Sequence, residues 1–325
     1  MSISGDLEFF SSQFNWPTSS RNDPCPYCKC DNYFDVSKSK CPFNDLRPQA
    51  KWRSNLLNPR AEDMKPHHLW SVPGVGFWTI KLDLLHLMDL GISGHVFANL
   101  LCDILDMLPG SNWVARLKIL NTKISQTYED LNIPAAERIP KLLKSNLVAD
   151  IGYPTLKHIK GRVIRKFSPV AVCLATEYSD ASCSRSLHRK ACVESLDKVY
   201  SMADEQTWVF SDEAFQIFED AVQGTLSHYH FLAKDAMQRN LLKYSITQKF
   251  HLFWHFGQQS KYLTPRCVWC YGPESYLAIV KAVTASSSRG TASYQVVGKV
   301  LQKFSLAFHL LLKGLLDFDI EQPQE

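Results

Sequence analysis

Two histidines, His251 and His255, stand four residues apart in the run KFHLFWHFGQQ, which reads as helix. That spacing puts both imidazoles on one helical face, close enough to share a metal ion. Two such ligands are half of a tetrahedral site. The other half can come from far upstream, where Cys25-Pro-Tyr-Cys28 supplies a C-x2-C pair. Thiolate and imidazole together are the ligand chemistry of structural zinc, so Cys25, Cys28, His251 and His255 form a candidate Zn2+ site. Cys30 and Cys41 lie in the same loop and compete with the histidines for the third and fourth positions. The plainer alternative is that Cys25 and Cys28 are ordinary loop thiols.

Three further groups bear on chemistry. Asp83 and His86, three residues apart after an apolar segment, make a polar pair that reads first as a satisfied structural hydrogen bond. Glu274 follows Pro273 in the first turn of a predicted helix, where the macrodipole favours a carboxylate whether or not it has a further role. The stretch 141–166 carries seven Lys or Arg against one acid, Asp150, which is the one strong charge asymmetry of the chain. That stretch is either a solvated helix face or a phosphate-contacting one, with affinity that falls as salt rises. Asp89, Asp103 and Asp106 are expected on helix surfaces, and Trp269 and Tyr271 in the core.

The elements that must position these groups follow from the rest of the chain. With 325 residues, 45% apolar and 21% charged, the chain can bury a sizeable core and is not of the disordered class. A net charge of +4 hints only weakly at a polyanion partner. The ten cysteines follow no regular pattern, and the N-terminus lacks the basic and apolar regions of a secretory signal. An intracellular, reducing setting is therefore expected, with some cysteines as ligands and the rest in the core. No uninterrupted apolar run approaches the roughly 20 residues of a membrane span. The first ten residues read as a strand, 14–51 as Cys-, Pro- and Ser-rich loop, and Phe77–Asp83 as a buried strand. His95–Leu108, Trp113 onward, a helix opened by Pro134, His188–Met202, Asp212–Arg239 and Ser293–Lys313 read as helices. The expected class is α+β, mostly helical.

The order of these pieces carries a resemblance. Asp6 directly after Gly5, Cys25-x2-Cys28, Asp83-x2-His86 with Leu90-Gly91, Lys249-x-His251-x3-His255 and Pro265-Arg266-x2-Trp269-Cys270-Tyr271-x2-Glu274 together resemble eukaryotic cut-and-paste DDE/DDD transposases. The pattern is most similar to CACTA-like and related superfamilies with a D-x2-H motif, and to transposon-like proteins of dinoflagellates. The resemblance implies an RNase H-like core interrupted by a helical insertion, with Asp6 as the second catalytic acid and Glu274 as the third. It casts Asp83 and His86 as supporting residues, and it likens the Cys pair and His pair to the zinc arrangement of the V(D)J recombinase. In that family Mg2+ ions held by converging carboxylates drive phosphodiester transfer on DNA.

Only five residues precede Asp6, so the family's first aspartate and first three strands are expected to be absent. Two of the core strands would remain, with a sheet edge open to self-association in a homo-oligomer. On this reading the segments are 1–13 (core strand), 14–70 (zinc loop), 71–110 (strand and helix), 111–245 (helical insertion) and 246–325 (His pair and third acid). The protein is then expected to be a nuclear or otherwise intracellular, transposase-derived DNA-binding protein with an incomplete active site. Lys157, Lys160, Arg162 and Arg165 are its expected DNA contacts. The alternatives are a zinc-stapled DNA-binding remnant with no enzymatic role and a helical protein-interaction module.

Overall fold

The computed structural model describes residues 2–33, 38–57, 67–148, 152–205 and 207–312. The chain divides into two units, Met1–Cys270 and Tyr271–Glu325. It is α+β and mostly helical: among the described residues the strands are two short ones, β1 (Ile3–Gly5) and β2 (Ile80–Leu82). They pair in parallel, with Ile3 opposite Ile80, Ser4 opposite Lys81 and Gly5 opposite Leu82. Asp6 and Asp83 therefore leave the ends of neighbouring strands side by side.

Both expected strands are shorter than the sequence suggested. After Gly5 the chain turns at once into α1 (Leu7–Phe14), whose N-cap is Asp6: its carboxylate accepts the Phe9 N–H. An Asp three residues before a free helical N–H is a capping signal, and it overrides the strand-like composition of the first ten residues. Asn15 ends the helix in the left-handed region at φ 57°, and Phe10 and Phe14 bury against Trp16 and Trp70. The segment before β2 is a tight turn, Phe77–Thr79, closed by the Thr79 hydroxyl donating to the Gly76 carbonyl at 2.6 Å.

Beyond Asp83 the chain winds as a π-helix, Leu85–Ile92, continuous with α2 (Ser93–Met107). Helix thus begins ten residues before the predicted His95, and the 23-residue stretch Leu85–Met107 is long and apolar enough to cross a membrane by length and composition. In its most apolar window 89% of the residues are buried inside the protein, so it is the central helix of the core. The sequence reading missed its length because Asp89 and Gly91 break the apolar run.

Around this helix stand α3 (Trp113–Asp130), α4 (Lys144–Leu147), α5 (Gly161–Lys166), α6 (Ser168–Glu177), α7 (Ser184–Ala203) and α9 (Gln248–Gln259), and α8 (Asp212–Gln238) packs on α7 and α9. Pro134 opens only a single turn, Ala135–Glu137. Asn112 and Ser211 cap α3 and α8 by accepting the Ala115 and Ala214 N–H groups. The expected surface aspartates need correction. Asp89 is fully buried and accepts the Tyr200 hydroxyl at 2.6 Å. Asp103 is buried among Lys243 (2.6 Å), the Tyr244 hydroxyl (2.7 Å) and Arg189 (3.4 Å). Charges enter a core in this way, paired and hydrogen-bonded. Only Asp106 is exposed, on the far side of Lys243.

The second unit contains α10 (Tyr271–Ser288) and α11 (Ser293–Leu312), joined by a turn with Gly290 at φ 63°. They meet through the Tyr276 and Phe304 rings and through Lys303 Nζ, which donates to Ser286 Oγ at 2.8 Å.

Candidate metal centre

Helix α9 brings the histidine pair to the cysteine loop. Its first residue, Gln248, donates to the Pro17 carbonyl at 3.3 Å and to the Pro24 carbonyl, next to Cys25. Its last, Gln259, accepts the Leu82 N–H at 3.1 Å. Between these ties, Cys28 Sγ lies 3.2 Å from His251 Nε2 and Cys25 Sγ lies 3.4 Å from His255 Nε2. A tetrahedral zinc with its usual bond lengths sets sulfur and nitrogen ligands about 3.5 Å apart.

Five donors compete for four positions. Cys25, Cys28, Cys30 and His251 are all buried, and one donor atom of each lies within 4.8 Å of all the others. A buried Cys3His site that can hold a zinc ion is thus present. Cys30, one of the two competing cysteines of the loop, joins this group, and His255 Nε2 stands beside Cys25. Cys41 is not among the four. The short Cys28-Lys29-Cys30 step was the available signal, since a third thiol so close to a C-x2-C pair can turn inward with it.

His251 has one nitrogen committed elsewhere. Its Nδ1 lies 3.1 Å from the Phe43 carbonyl, an acceptor, so Nδ1 carries the proton and Nε2 points its lone pair at the cysteines. Trp52 packs on the His251 ring at 4.2 Å between centroids, and Tyr27 and Trp254 flank His255. On the cysteine side a cleft of about 500 Å³ lined by Asn22, Asp23, Lys29 and Tyr33 gives an ion a route in.

The electrostatics call for a cation. Burial lifts the Cys25 thiol, but hydrogen bonds from Cys28 and Cys30 and the charges of His255 and His251 outweigh it, leaving Cys25 well below its ordinary value. Cys28 is pushed far up, chiefly by its hydrogen bonds with Cys25 and Cys30 and then by burial. Cys30 is also raised, first by Cys25. Burial holds His255 below the ordinary histidine range despite the neighbouring Cys25. Negative charge on one of three converging sulfurs opposes ionisation of the others, and a divalent cation would offset that repulsion.

The other expected site residues are distributed differently. Asp83 is buried and engaged on both oxygens: Oδ1 accepts the Cys270 N–H at 2.6 Å, and Oδ2 accepts the His86 N–H at 2.9 Å and faces His86 Nδ1 at 2.6 Å. Lys249 Nζ donates to the His86 and Leu90 carbonyls at 2.7 and 3.0 Å. Burial lowers its pKa, against the pull of Asp6 and Asp83. Asp6, the expected second acid, is the cap of α1, and Asp83, the expected supporting residue, is flanked by an imidazole and a thiol. Glu274 lies in the first turn of α10, as expected, but its side chain is outside the described residues.

Of the basic stretch, Lys141, Lys144, Lys160, Arg162 and Lys166 are exposed and Lys157 is half-buried. Arg165 is not a surface cation. It is buried, paired with Asp204 and stacked over Tyr200 and Trp269 at 5.5 and 5.1 Å. On α5 it follows the buried Ile164, on the inward side of the helix. Arg162 and Lys166 share Glu137, at 2.7 and 4.0 Å. Trp269 is half-buried between Arg165 and Arg266 rather than deep in the core.

No family model, characterised protein or solved structure matches this chain.

Proposed function

We propose that this chain is a zinc-clipped, transposase-derived domain that binds DNA. The observation that carries the proposal is the meeting of Cys25 and Cys28 with His255 and His251, across 230 and 223 residues of sequence. A C-x2-C loop closed by a distal histidine pair is what the family resemblance calls for, and a zinc there would lock α9 onto the N-terminal loop. Two parallel strands each followed by an aspartate agree with neighbouring strands of an RNase H-like sheet. The proposal is for binding rather than cleavage, because the Asp6 carboxylate, the expected second acid, is engaged as the N-cap of α1.

The DNA-contacting side is assigned to Lys144, Lys160, Arg162 and Lys166, four of the exposed cations on and before α4 and α5. Fluorescence anisotropy with duplex DNA over a range of salt tests this. Affinity should fall with salt, and neutralising these four residues should reduce the log–log slope by about 3 to 4. Binding that is absent, or unchanged in that variant, sinks the proposal. A second reading, a protein-interaction module, is favoured by α11. There Tyr294, Val297, Leu301 and Phe308 share one exposed helical face, with Tyr294 82% accessible. Under that reading, changing these four to Ser or Gln would abolish partner binding and leave DNA affinity as it was.

A further inference from the structure

We propose that Asp83, His86 and Cys270 form a second site, separate from the cysteine–histidine clip, for one transition-metal ion of the zinc class. One donor atom on each lies within 4.8 Å of the other two. Asp83 and Cys270 are buried, whereas the His86 side chain is 19% exposed. Solvent therefore reaches the group along the imidazole.

The donors are held in place from three parts of the chain. Asp83 directly follows β2, His86 lies in the first turn of the π-helix, and Cys270 comes 187 residues after Asp83. The Cys270 N–H on Asp83 Oδ1 and the His86 N–H on Oδ2 fix the carboxylate plane from two sides. Oδ1 keeps a further lone pair beyond its backbone bond, and a metal ion between Oδ2 and His86 Nδ1 would replace their direct 2.6 Å contact. Cys270 Sγ faces Ser4 Oγ at 3.6 Å, so a hydroxyl on β1 can donate to the sulfur once it is a thiolate. Backbone amides and a hydroxyl that orient the ligands are the outer-shell support metal sites use.

The donor set selects the ion. One carboxylate, one imidazole and one thiolate are too soft and too few in oxygen for Mg2+ or Ca2+, and they match zinc or cobalt. A carboxylate and a thiolate balance the charge of a divalent ion. Three protein ligands leave one tetrahedral position for an exchangeable ligand, the pattern that separates reactive zinc sites from closed structural ones. The clip draws its four donors from Cys25, Cys28, Cys30 and His251, so the two sites share no residue. The second site stands whether or not the chain binds DNA.

The test is metal stoichiometry on the full chain, stripped with chelator and titrated with Co2+ alone. Wild type should take two Co2+ per chain. H86Q and C270S should each take one while keeping the wild-type far-UV circular dichroism, with affinity for the second ion reduced on the order of 100-fold or more. Cadmium NMR of the wild type needs no variant. It should give two resonances, one in the range of a sulfur-rich site and one in the range of a mixed sulfur, nitrogen and oxygen site. A single ion and a single resonance in the wild type, or two ions retained in both variants, would overturn the proposal.

Discussion

His251 reaches the cysteines through Nε2 because its other nitrogen is taken by the Phe43 carbonyl, and this separates its role from that of His255. If the zinc is held by Cys25, Cys28, Cys30 and His251, then C30S and H251A each lower zinc by one equivalent per chain. Either should cost about 4 kcal/mol or more of stability, as expected for loss of a structural metal. H255A should keep the zinc and lose far less, because Nε2 of His255 is then a hydrogen-bond partner of Cys25. Metal analysis beside thermal melts checks all three, and zinc lost in H255A but kept in C30S restores the two-histidine assignment. A second test at this scale concerns Gly91, where an added Cβ would stand 2.5 Å from Lys249 Cδ. G91A should destabilise by about 1–3 kcal/mol through overpacking, and shortening Lys249 in the same chain should recover part of the loss.

Helix α9 acts as a beam. It is tied to the cysteine loop by Gln248, to the π-helix by Lys249, to the cluster by His251 and to β2 by Gln259. The α7–α8 pair carries a different device. His188 Nδ1 and His228 Nδ1 meet at 2.8 Å, and the His188 ring stacks on Phe231 at 3.7 Å. Burial lowers both histidines, with His188 adding to the effect on His228, and burial also lowers His230 and His95. Folded-state values below 6.5 mean that, as pH falls through 6.5, the unfolded chain takes up protons first. Stability should thus be full above pH 6.5 and drop below it. Acid would also release a zinc held by the cysteines, so the comparison is between wild type and an H188Q/H228Q variant, whose melts should depend less steeply on pH. Parallel pH curves would discount the pair.

At the scale of the whole molecule, the described part of 14–57 holds little regular structure beyond one turn at Lys51–Ser54. Its order depends on Trp16, Tyr27 and Trp52 packing around the α9 histidines and on the clip. Chelation should therefore release this segment before the helices: limited proteolysis after zinc removal should cut first within 17–57, with helical circular dichroism largely kept. Simultaneous loss of all helical signal would show instead that the metal holds the entire core. The second unit, α10 and α11, should be indifferent to chelation, since none of the clip donors lies in it.

What the sequence determined by itself was whatever is set by spacing along one element. The four-residue step of His251 and His255, the C-x2-C pair and most helices were legible, because backbone geometry decides which neighbours share a face. The mostly helical class was legible for the same reason. Tertiary structure alone brought Cys30 and His251 to the Cys25–Cys28 pair and set His255 beside Cys25. It alone turned Arg165 inward onto Asp204 and buried Asp89 and Asp103 beside Tyr200 and Lys243. It alone carried Cys270 to Asp83, through an N–H that any residue could have supplied. Contacts of this kind depend on how side chains of distant segments fill one volume, and that becomes defined only when the core packs.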